Sequence, residues 1–93
     1  MRTSIKIFEI LRETGSCEEA KQKAIGIIDS NPNVICELDV YGKVIDKEKA
    51  ELLASVLYYG KQHGDRVQIS GRHLNEEETG LIEKAYRNLD KSK

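Results

Sequence analysis

The chain has 93 residues, enough for one domain with a single modest core and too few for two. A third of the residues are charged, and the aromatics are four tyrosines and one phenylalanine, so Ile, Leu, Val and Ala must build the interior. A formal charge of -1 lacks the basic excess of a nucleic-acid surface, and no run of about eighteen apolar residues is present to span a membrane.

Residues 1–6 carry no apolar segment of the kind that opens a secretory signal. A cytoplasmic location is expected, with Cys17 and Cys36 reduced. No metal site or cofactor is read from the sequence, and the oligomeric state stays open.

In chain order, Ile5, Ile7, Phe8 and Ile10 mark a β-like segment over about residues 3–11, whose alternation breaks at Phe8–Glu9. Ala20, Ala24, Ile27 and Ile28 fall on one face of a helix over 17–29. The helix tolerates Gly26 in its interior and ends at the breaker cluster Ser30-Asn31-Pro32-Asn33. Residues 34–40 alternate as a second strand, with Val34, Cys36, Leu38 and Val40 inward, so Cys36 reads as a small core residue.

Tyr41-Gly42-Lys43 reads as a hairpin turn leading to a short strand at Val44-Ile45. Asp46 caps a second helix over 47–59 with Ala50, Leu53, Ala54 and Leu57 inward, ended by Gly60 and His63-Gly64-Asp65. Residues 66–70 alternate as a fourth strand. Asn75 with Glu78 caps a last helix that buries Leu81, Ile82, Ala85 and Leu89, and Lys91 and Lys93 sit at its negative end. Arg72-His73 reads as a surface loop pair.

The order β-α-β-β-α-β-α predicts an α+β fold: a two-layer open-faced sandwich with a four-stranded, mostly antiparallel sheet and three helices on one face. Right-handed crossovers place the fourth strand between the first and second. That geometry brings Ser16-Cys17 near Gln62-His63-Gly64.

Within Thr14-Gly15-Ser16-Cys17-Glu18-Glu19, Ser16 and Glu19 form a capping-box pattern, and a thiol stands in the first helical turn. Helix N-termini attract anions, yet this turn already carries two carboxylates. Cys17 is the candidate reactive residue, with Ser16, Glu19 and His63 as candidate binding residues around it. His63 would act as its base or co-ligand. Ile10, Leu11, Leu52, Val56 and Tyr59 are candidates for a partner patch.

Thr14-Gly15 before the helix cap, Tyr41-Gly42-Lys43, the run Gly64-Asp65-Arg66-Val67-Gln68-Ile69-Ser70, and Asn75-Glu76-Glu77-Glu78 occur in an order that resembles the HPr family. These are the histidine-containing phosphocarriers of the bacterial sugar phosphotransferase system. The resemblance spans about residues 3 to 90. In that family the Thr-Gly turn precedes a hydrophobic residue, the phospho-accepting histidine, a small residue, an arginine and a proline. Those places are Ser16, Cys17, Glu18, Glu19 and Ala20 here, so both the nucleophilic histidine and the arginine are replaced. The family's regulatory serine falls on Lys49 or on Leu52, depending on the direction of counting, and is not transferred.

A phosphoryl dianion about 6 Å from one carboxylate is repelled by roughly 5 kcal/mol at an effective dielectric of 20. The expectation is therefore an HPr-like protein that does not carry phosphate on histidine, is not an enzyme, and acts by binding or regulating proteins, with phosphotransferase components as possible partners. The alternative is a thiol-based phosphoacceptor or redox-responsive protein using Cys17. A third reading is an interaction module unconnected with sugar transport.

Overall fold

The computed structural model describes residues 2–70 and 73–91. Arg72 and Lys93, read above as loop and helix-end residues, lie outside that range. The protein is α+β, with four helices and a three-stranded sheet among the described residues. β1 (Arg2–Ile5) is followed by α1 (Ile7–Thr14), α2 (Cys17–Ser30) and β2 (Ile35–Asp39). Then come α3 (Lys47–Gln62), β3 (Val67–Ser70) and α4 (Glu76–Lys91).

The sheet departs from the expected four-stranded antiparallel one. Its order is β1-β2-β3 and both pairs are parallel, with Thr3 opposite Cys36 and Cys36 opposite Val67. The cause lies after Val40. Residues 43–46 form no strand, so no hairpin reverses the chain, and β2 reaches β3 through α3. A helical crossover between neighbouring strands makes them parallel.

The second departure is at the start. β1 ends at Ile5 and α1 begins at Ile7, where a strand to about residue 11 was expected and where no fourth helix was foreseen. The break at Phe8–Glu9 marks this change of period. Ile7, Phe8, Ile10, Leu11 and Thr14 share one side of a helix, and Ile7 and Phe8 are buried. Gly15 closes α1 in a left-handed conformation, and Ser16 opens α2 by accepting from the Glu19 amide at 3.1 Å.

One face of the sheet is covered. Cys36 and Val67 line one buried row, and Ile5 and Leu38 another, with Ile69 partly buried beside them. Against them pack Ile7 and Phe8 of α1, Ala20, Ala24 and Ile28 of α2, and Leu53 and Val56 of α3. The opposite face carries Arg2, Ser4, Glu37 and Gln68, with Arg2 and Glu37 paired at 3.1 Å. α4 packs chiefly on α3, through Ile82 and with Tyr86 edge-on to Tyr58 at 5.6 Å.

Gly60 does not end α3, which continues to Gln62. It is buried, and a Cβ there would overlap the Val67 side chain. The residue lets α3 lie directly on β3.

Candidate functional site

Hydrogen bonds fix the two ends of the helix layer. At the amino end of the strands, Arg66 donates to Asn31 O at 2.8 Å, and Tyr59 donates to Asp29 Oδ1 at 2.7 Å. At the carboxyl end, where α3 begins after the β2–α3 loop, the Cys17 thiol donates to Glu48 Oε1 at 3.6 Å. Thus α2 and α3 run parallel, with both N-termini at the carboxyl edge of the sheet.

Cys17 is half-buried in the first turn of α2. Cys17 and Glu18 from α2, with Glu48, Glu51 and Leu52 from α3, line a groove of about 390 Å³ that also includes Lys21 and Ser55. Burial raises the thiol pKa above its ordinary value, and the hydrogen bond to Glu48 and the charges of Glu48, Glu51 and Asp46 raise it further. A helix N-terminus ordinarily lowers a thiol pKa, whereas burial first and the surrounding carboxylates second act in the opposite direction here. Burial and the carboxylates all favour the thiol over the thiolate, in keeping with the place of Cys17 as donor to Glu48.

Ser16 and Glu19 stay beside Cys17 as cap and first-turn residue. His63 does not. It caps the far end of α3, where its ring stacks on Tyr59 at 4.0 Å and Nδ1 lies 2.8 Å from Tyr59 O. Between Glu48 and His63 the helix rises about 22 Å, too far for a shared base or ligand role. The expected approach of Ser16-Cys17 to Gln62-His63-Gly64 assumed a strand order that the parallel sheet replaces. His73, by contrast, leaves from the carboxyl end of β3 and is exposed.

The expected apolar partner patch is only partly at the surface. Leu52 and Val56 are buried in the core, and Ile10, Leu11 and Tyr59 pack against it. Among the described residues, Tyr41 and Val44, in the β2–α3 loop, are instead the exposed large apolar side chains, at 73% and 77%. Sequence reasoning passed over Glu48 and Glu51. Their signal was two acids three residues apart in the first turns of a helix, but their nearness to Cys17 depends on how α2 lies against α3. Cys36 is buried in the core as expected.

Among the described residues, no group of three or more His, Cys, Asp or Glu side chains could hold a metal ion, and no helix is long and apolar enough to cross a membrane. No protein-family model matches the chain, and no curated protein or solved structure matches it.

Proposed function

We propose that this protein does not carry phosphate and acts by binding or regulating other proteins, as a diverged relative of the phosphocarriers. The observation that supports the first half is the setting of Cys17. A phosphoryl acceptor needs a deprotonated nucleophile and positive charge around the dianion it gains. Burial favours the protonated form of Cys17, its thiol donates to Glu48, and the charges of Glu48, Glu51 and Asp46 push its pKa up further. The same setting counts against a redox-responsive thiol, because oxidants select thiolates.

The relation to phosphocarriers rests on the order of sequence motifs alone. The parallel sheet lends it no support, since the resemblance implies an antiparallel one. Incubation with phosphoenolpyruvate and the phosphotransferase enzyme I, followed by intact mass, tests the first half. No added phosphate is expected, and stoichiometric phosphorylation of Cys17, His63 or His73 would overturn it. Titration against purified enzyme I tests the relation separately. Saturable binding supports it, and its absence leaves an interaction module unconnected with sugar transport.

A further inference from the structure

We draw no further inference here: the strongest candidate, the face of the parallel sheet opposite the helices, which carries Arg2, Ser4, Glu37 and Gln68, carries nothing, because Arg2 and Glu37 pair with each other on it at 3.1 Å and nothing in the structure shows what covers it.

Discussion

The amide of Ile45 donates to Glu78 Oε2 at 3.0 Å, joining the β2–α3 loop to the first turn of α4. Glu78 is only 5% exposed, and its other oxygen accepts from the Asn75 amide at 3.2 Å. The Asn75 side chain returns a bond by accepting from the Glu78 amide at 2.8 Å, completing a capping box. One carboxylate therefore caps a helix and holds a loop that crosses to it. Glu78→Ala leaves buried amides without an acceptor and should cost about 2–4 kcal/mol in urea unfolding. Glu78→Gln retains one acceptor oxygen and should cost less.

That bond also explains why one expected strand is missing. Val44-Ile45 has the composition of a strand, but the Ile45 amide is used by a carboxylate of α4 and not by a neighbouring strand. The capping box at Asn75 and Glu78 was readable from spacing alone, whereas the second duty of Glu78 belongs to tertiary structure. The starts of α2, α3 and α4 were legible for the same reason. Ser16, Asp46 and Asn75 each accept from an amide three residues on, a local interaction written in the sequence. Sheet order was not legible, because it turned on whether four residues after Val40 formed a hairpin or a loop. The candidate site inherited that error: Ser16, Cys17 and Glu19 stay together through local structure, while His63 was placed beside them by topology.

Gly60 and Gly26 give opposite expectations for the same substitution. A methyl at Gly60 meets the Val67 side chain across the α3–β3 contact, so Gly60→Ala should destabilise by about 1–3 kcal/mol. A methyl at Gly26 meets nothing within 4 Å in the middle of α2, so Gly26→Ala should stabilise by about 0.5–1 kcal/mol. Thermal or urea melts of the two variants check both signs.

Asp46 links stability to acid. The Lys49 amide donates to its carboxylate at 2.9 Å and holds its pKa below the ordinary value of 3.8. A depressed carboxylate stabilises the fold above its unfolded pKa, and that contribution is lost as pH falls through the lower folded value. Asp46→Ala should therefore cost about 1 kcal/mol at pH 7 through the lost cap. The gap between the two proteins should narrow below the unfolded value of 3.8, as melts over a pH series would record.

Removing the acid nearest Cys17 should free the thiol. Glu48→Gln deletes a charge that disfavours the thiolate, so Cys17 should alkylate faster at pH 8 than in the unsubstituted protein. Cys36 is buried and should stay unmodified in both, which peptide mapping would verify.

The pH dependence of Cys17 alkylation by iodoacetamide, followed by mass at that cysteine, tests the central claim most directly. The thiol held among Glu48, Glu51 and Asp46 should titrate above its ordinary value of 9.0. A midpoint at or below about 7.5 would mean an activated thiolate and would contradict the account of Cys17 as a non-acceptor.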